Sequence, residues 1–158
     1  MRQRTNRRPR APKQSRQFHK KSVEIDGITF DSLTEAAYYE HLKRDPLVKD
    51  IVTQPQFKII ENYSVTCKRC AGSGRQASIK TGNPINCSLC RGKGERQKSG
   101  AVYTADFKVT YIDGFVEYVD VKGGPVTRDF PLRRKLFEQA TGQELVVVRL
   151  KHKEWVRE

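Results

Sequence analysis

VYTADFKVTYIDGFVEYVDVK, residues 102–122, decides how the rest of the chain reads. Tyr103, Ala105, Phe107, Val109 and Tyr111 alternate with Thr104, Asp106, Lys108 and Thr110, the two-residue period of a half-buried strand. Phe115 to Val121 supplies a partner strand across Asp113-Gly114. Two registers are open. A two-residue loop, Asp113-Gly114, sets Ile112 against Phe115 and Asp106 against Val121. A three-residue loop with Gly114 in the left-handed conformation sets Tyr111 against Phe115, Phe107 against Val119 and Asp106 against Asp120. Hydrophobic patterning favours the second register, because it gathers the apolar residues on one face and a one-residue slip would scatter them. That register also makes neighbours of two aspartates, a like-charge contact that destabilises a sheet unless a cation lies between them. Asp120-Val121-Lys122 sets a carboxylate and an ammonium two apart, hence on one strand face.

Outward from this hairpin the chain alternates helices and strands. Val23 to Phe30 reads as a short hairpin around Asp26-Gly27. A helix follows, capped by Asp31 or Ser32, with Leu33, Ala36, Ala37, Tyr38 and Leu42 as its apolar stripe and Asp45-Pro46 as its stop. Leu47 to Val52 and Phe57 to Ile60 are strand-like runs broken at Gln54-Pro55. Beyond the central hairpin, Arg128 to Ala140 reads as a helix with Pro131 in its first turn and Gly142 at its end, and Glu144 to Leu150 as a strand. The expected fold class is α/β, a small mixed sheet flanked by helices.

Charge divides the 158 residues into parts. Lys and Arg number 31 against 18 Asp and Glu, a formal charge of +13. Residues 1–21 carry +9 with no acid, residues 63–100 carry +7, and the remainder, 22–62 and 101–158, carries -3. The first segment has almost nothing apolar and is expected to be a disordered basic arm. The second is an insert in a core formed by residues 22–62 and 101–158. Basic excess implies an anionic partner, most simply the phosphates of nucleic acid. Arg7, Arg8, Arg10, Lys20 and Lys21 of the arm, with Lys68, Arg69, Arg75, Arg91 and Lys93 of the insert, are the candidate DNA contacts. No apolar run approaches the roughly 20 residues that span a bilayer and the N-terminus has no apolar leader, so no membrane role is expected and the cytoplasm is the expected location.

All four cysteines lie in the insert as Cys67-x-x-Cys70 and Cys87-x-x-Cys90, with 16 residues between the pairs. That spacing suits a four-thiolate zinc site, and in a cytoplasmic chain zinc is favoured over two disulfides. Each pair is followed by the same glycine pattern, Ala71-Gly72-Ser73-Gly74 and Arg91-Gly92-Lys93-Gly94. Such glycines allow backbone amides to turn towards sulfur. The doubled Cys-x-x-Cys-x-Gly-x-Gly pattern resembles the cysteine-rich zinc module of J-domain co-chaperones. Two repeats stand here instead of four and the His-Pro-Asp tripeptide of the J-domain is missing, so no chaperone role is implied. The three histidines, His19, His41 and His152, show no ligand spacing.

Glu35 has two readings. Ser32-x-x-Glu35 is a capping box, in which the glutamate bonds back to the Ser32 amide, and Glu35 is equally a carboxylate that could join Asp106 and Asp120. Spacing alone does not choose. A helix with Glu35 in Ser32-Leu33-Thr34-Glu35-Ala36-Ala37-Tyr38-Tyr39, then Asp106 in Tyr103-Thr104-Ala105-Asp106-Phe107, then Asp120-Val121-Lys122-Gly123, then helix and strand, resembles the PD-(D/E)XK nuclease superfamily. With Gln54-Pro55-x-Phe57 it looks like a phage-type group linked to Holliday-junction resolvases. The resemblance covers about residues 22–62 and 101–150. Many members have Glu where Asp120 stands, and the zinc insert is a further departure.

The resemblance implies a restriction-endonuclease-like core in a metal-dependent endodeoxyribonuclease that cuts branched DNA. Asp106 and Asp120, with the Val121 carbonyl, would bind Mg²⁺ or Mn²⁺; Glu35 would complete the site, and Lys122 would orient or deprotonate the attacking water. Zinc would be structural. A four-way junction is nicked on two symmetry-related strands, so a homodimer is implied, with Tyr38, Tyr39, Trp155 and Val156 as candidate contacts.

Overall fold

The computed structural model describes residues 22–158. The basic arm, and with it Arg7, Arg8, Arg10, Lys20 and Lys21, lies outside the described residues. The described residues open with the expected hairpin, β1 (Val23–Ile25) and β2 (Ile28–Phe30), whose turn residues Asp26 and Gly27 both take positive φ. Helix α1 (Leu33–Arg44) is capped by Ser32 and ends at Asp45, before Pro46. Strands β3 (Val48–Thr53) and β4 (Gln56–Ile60) lead into the insert, which holds β5 (Tyr63–Thr66), β6 (Arg75–Ala77), β7 (Pro84–Asn86) and β8 (Glu95–Lys98). The chain returns through β9 (Ala101–Thr104), β10 (Phe107–Tyr111) and β11 (Val116–Val121), then α2 (Phe130–Thr141), β12 (Leu145–Lys151) and β13 (Glu154–Arg157).

The fold is α/β around a mixed five-stranded sheet of order β13-β12-β11-β10-β3, in which β11 and β12 run parallel and the other neighbours antiparallel. The central hairpin takes the register that patterning favours. Phe107 opposes Val119, the Tyr111 amide donates to the Phe115 carbonyl at 2.8 Å, and Gly114 has φ +87°. One face of the sheet carries α1 over Phe107, Val109, Val119, Val121 and Val148. The other carries α2, with Phe130 and Phe137 packed against Tyr103, Ala105, Leu145 and Val147. Adjacent β12 residues Val147 and Val148 serve opposite cores, as a doubly covered strand requires.

The structure departs from the sequence reading in three places. The stretch 102–111 is two strands, because the chain bends at Ala105-Asp106 and Tyr103 packs under α2 while Phe107 packs under α1. Its neighbour bends at the same level, at Gln54-Pro55, where Gln54 takes φ +51°. Two backbone hydrogen bonds tie the bends together, Gln54 N to Asp106 O at 2.9 Å and Ala105 N to Pro55 O at 3.1 Å. In α1 the buried set is Ala36, Tyr38, Tyr39 and Leu42, whereas Leu33 and Ala37 are exposed. Tyr39 takes the inward place because its ring stacks on Phe107 and its hydroxyl still reaches Asp26 at 3.3 Å. A last strand, β13, pairs with β12 across His152-Lys153, both at positive φ. It brings Trp155 edge-on against Tyr38 at 4.8 Å, so Tyr38 and Tyr39 are buried in the core and Trp155 packs, partly buried, against it.

A buried charge clamps this end of the sheet. Glu117 is 5% exposed and accepts from Arg157 at 2.7 Å and from the Tyr111 hydroxyl at 2.9 Å. Among the described residues no helix is long and apolar enough to cross a membrane.

Candidate functional site

The paired bends open a cleft of about 460 Å³ at the ends of the inner strands β10 and β11, lined among others by Glu35, Asp106, Asp120, Val121 and Lys122. Asp106 arrives from the kink before β10, Asp120 and Val121 from the last residues of β11, Lys122 from just beyond it, and Glu35 from the first turn of α1. All four side chains singled out from the sequence therefore face one cavity.

Asp106 and Asp120 are close enough to share a hydrogen bond, and Asp106 Oδ2 also accepts from the Val121 amide at 2.6 Å. Burial, followed by the charge of Asp120, pushes the Asp106 carboxyl up to about 8. Asp120 is 3% exposed, with one oxygen accepting from the Lys122 ammonium and the other from the Tyr103 hydroxyl. Carboxylate and ammonium thus meet on one strand face, as their spacing requires. The Lys122 ammonium also sits over the Phe130 ring, 4.7 Å from its centroid.

Glu35 lines the cleft and forms one half of the capping box, its carboxylate taking the Ser32 hydroxyl in place of the Ser32 amide. Its amide donates to Ser32 Oγ at 3.2 Å, the helix cap, and its carboxylate accepts from the same hydroxyl at 2.7 Å. The carboxylate is held at the cleft by Ser32, and its charge is felt by Asp106. Gly123 lets the β11 end approach α1 this closely, since a Cβ there would lie 2.6 Å from Thr34 Oγ1.

Two cleft residues escaped the sequence reading, Tyr103 and Arg133. Tyr103 reads as an ordinary inward strand aromatic, and Arg133 as one of several surface cations on α2. A basic residue one turn into a helix that follows Asp-x-Lys was the available signal.

In the insert the four cysteines come together and are buried and unbridged, with every sulfur within 4.8 Å of the others. Cys67 and Cys87 sulfurs lie 3.8 Å apart and Cys70 and Cys90 sulfurs 3.7 Å apart. Four sulfurs about 2.3 Å from one ion stand about 3.8 Å from each other, so the cluster could hold a metal ion. Burial pushes the Cys67 thiol up, but the amides of Cys70 and Arg69 and the neighbouring thiols outweigh it and bring it down to about 6. The amides of Cys90 and Leu89 likewise overcome burial and lower Cys87. Gly94 donates its amide to Cys90 sulfur at 3.3 Å, the arrangement that the repeated glycines suggest.

Those glycines have a second reason. Cys67 N donates to Gly94 O at 2.8 Å and Cys87 N to Gly74 O at 2.7 Å, so each cysteine loop is hydrogen-bonded to the other. A Cβ on Gly74 would stand 2.3 Å from Gly92 O, and one on Gly94 2.3 Å from Gly72 O. Backbone packs on backbone across a local pseudo-twofold, and only glycine fits. Lys68, Arg69, Arg75, Arg91 and Lys93 are all exposed around this unit. Arg69 donates to Ser88, which leaves the other four of these cations to face solvent.

Neither a curated protein nor a solved structure matches the chain. A model of a family described as a protein of unknown function (DUF1064) matches residues 15–154, a span that contains both the acid cleft and the cysteine cluster, and the chain belongs to that family.

Proposed function

We propose that this protein is a metal-dependent, structure-specific DNA endonuclease built on a restriction-endonuclease-like core, a Holliday-junction resolvase that hydrolyses phosphodiester bonds in branched DNA. The observation that carries this reading is the meeting of Glu35, Asp106, Asp120 and Lys122 in one open cleft, with two carboxyls in contact and Asp106 pushed up to about 8. Adjacent carboxyls that resist losing both protons are the donor set that a hard divalent cation satisfies.

Asp106, Asp120 and the Val121 carbonyl would hold Mg²⁺ or Mn²⁺, with Glu35 completing the set. A divalent cation bound there lowers the pKa of coordinated water and offsets charge on the phosphate. Hydrolysis adds the oxygen of one water to phosphorus, breaks one P–O ester bond and passes a proton from that water to the leaving alkoxide. Lys122, anchored on Asp120, would orient the water, and Tyr103, which holds the second oxygen of Asp120, would keep the carboxylate from rotating away. Zinc in the cluster of Cys67, Cys70, Cys87 and Cys90 would be structural, since four protein ligands leave no position for water. The exposed cations of the insert and the basic arm supply affinity for branched DNA, and a homodimer supplies the two cuts. The protein acts in the cytoplasm, that of the host cell if it is phage-encoded.

A labelled four-way junction and a linear duplex of the same sequence, each incubated with the protein in Mg²⁺, test the reading. Selective, symmetric nicking of the junction is expected. Equal cutting of both substrates would make this a nuclease of another target, and binding with no cutting would make it a zinc-dependent nucleic-acid-binding protein without catalysis.

A further inference from the structure

Arg133, in the first turn of α2, lines the cleft together with Asp120 and Lys122. Its guanidinium lies over the Tyr103 ring, 5.2 Å from the centroid. Tyr103 is 2% exposed, its ring packs on Phe137 at 5.3 Å, and its hydroxyl donates to Asp120. One tyrosine therefore fixes a carboxylate at its hydroxyl and a guanidinium on its face. The two cations of the cleft differ in their commitments. Lys122 is ion-paired with Asp120, whereas Arg133 forms no salt bridge among the described residues, and Asp129 senses its charge without closing on it. A guanidinium resting on a ring face uses none of its N–H donors, so the planar fork stays available to a ligand.

We propose that Arg133 binds a non-bridging oxygen of the phosphodiester that is cut, and that Tyr103 is the residue that positions it. The inference rests on the reading of the acid cleft as a phosphodiesterase site. A phosphate entering that cleft brings negative charge towards Glu35, Asp106 and Asp120. Among the described residues of the cleft Arg133 is the cation without an ion pair, and the guanidinium fork matches phosphate oxygens in a way a lysine does not. As phosphorus gains its fifth oxygen the charge on the non-bridging oxygens rises, so a donor fixed beforehand on a buried ring acts where charge develops.

The test uses the full-length, zinc-loaded protein and a labelled four-way junction, with binding measured in Ca²⁺ and single-turnover cleavage in Mg²⁺ at saturating protein. Arg133→Ala is expected to slow cleavage by about 10² to 10³-fold. It should also flatten the dependence of log Kd on log salt by about one phosphate contact. Arg133→Lys should restore the slope and recover only part of the rate. Tyr103→Phe, which keeps the ring, should hold the wild-type slope. Lys135→Ala, on the same helix but facing a groove outside the cleft, should cleave at the wild-type rate. Arg133→Ala with the wild-type rate and slope would overturn the proposal, and a Tyr103→Phe protein that loses the slope would overturn the seat on the ring. If the wild type cuts nothing, the endonuclease reading falls and the slope alone decides Arg133: loss of one contact keeps it as a phosphate-binding residue, and an unchanged slope removes it.

Discussion

The acid cleft and the cysteine cluster both crowd groups of like charge, yet different things hold them in place. Around the cleft, two aromatic and aliphatic clusters pack on both faces of the sheet, and the carboxylates ride on strand and helix ends that those clusters fix. In the insert, the buried cluster consists of the four cysteines themselves with Leu89 beside them. The cleft is a consequence of a core, whereas in the insert the ligands are the core. A metal ion would therefore do chemistry in the first and folding in the second.

Breaking the insert should produce the largest effect. Zinc removal by a chelator, or Cys87→Ser, is expected to unfold residues 63–100, because zinc binding in such sites supplies on the order of 10 kcal/mol. Hydrogen exchange should show protection lost in β5 to β8 and retained in β10, β11 and β12. Loss of protection throughout would mean that the core leans on the insert.

Breaking the cleft should spare the fold. Asp120→Asn is expected to lower Mg²⁺-dependent cleavage by at least about 10³-fold, with junction binding and thermal midpoint retained, since it also removes the charge that crowds Asp106. A variant that loses binding together with cleavage would place Asp120 in the scaffold.

A buried charge outside both sites gauges what the core itself tolerates. Arg157→Ala leaves Glu117 buried with only the Tyr111 hydroxyl, and should cost about 2 to 4 kcal/mol in urea unfolding. Arg157→Ala with the wild-type midpoint would show that the Tyr111 hydroxyl suffices.

A pH dependence measures the crowding of the carboxylates. Asp106 is raised from 3.8 to about 8, so the native state holds its proton more tightly than the unfolded chain. Its contribution is complete below about pH 4 and falls away as pH rises to about 8. With zinc present and no other divalent ion, the wild type should lose stability across that window more steeply than Asp106→Asn, and millimolar Mg²⁺ should reverse the trend. Parallel curves for the two proteins would remove Asp106 from this role.

Much of the cleft was legible in the sequence because its residues sit at fixed distances from strong local signals. Gly114 sets the hairpin loop, the loop sets the register, and the register brings Asp106 to Asp120. Ser32 marks the helix start, and Glu35 lies in the first turn that follows. The bend was not legible. Apolar alternation from Tyr103 to Tyr111 keeps its parity through Asp106, and parity is blind to a strand that leaves one core and enters another. Strand β13 was missed for a related reason: its turn uses His152 and Lys153 in place of the asparagine and glycine that announce such turns.

Sequence alone determined the α/β order, the cysteine quartet and the identity of the acids, because each depends on short-range spacing and on the chemistry of single side chains. Tertiary structure decided that α1 and α2 cover opposite faces, that Trp155 closes on Tyr38 within the chain, and that Tyr103 joins Asp120 to Arg133. Each of those is a contact between residues far apart in the chain, fixed by which apolar faces pack together once the chain bends at Gln54-Pro55 and Ala105-Asp106.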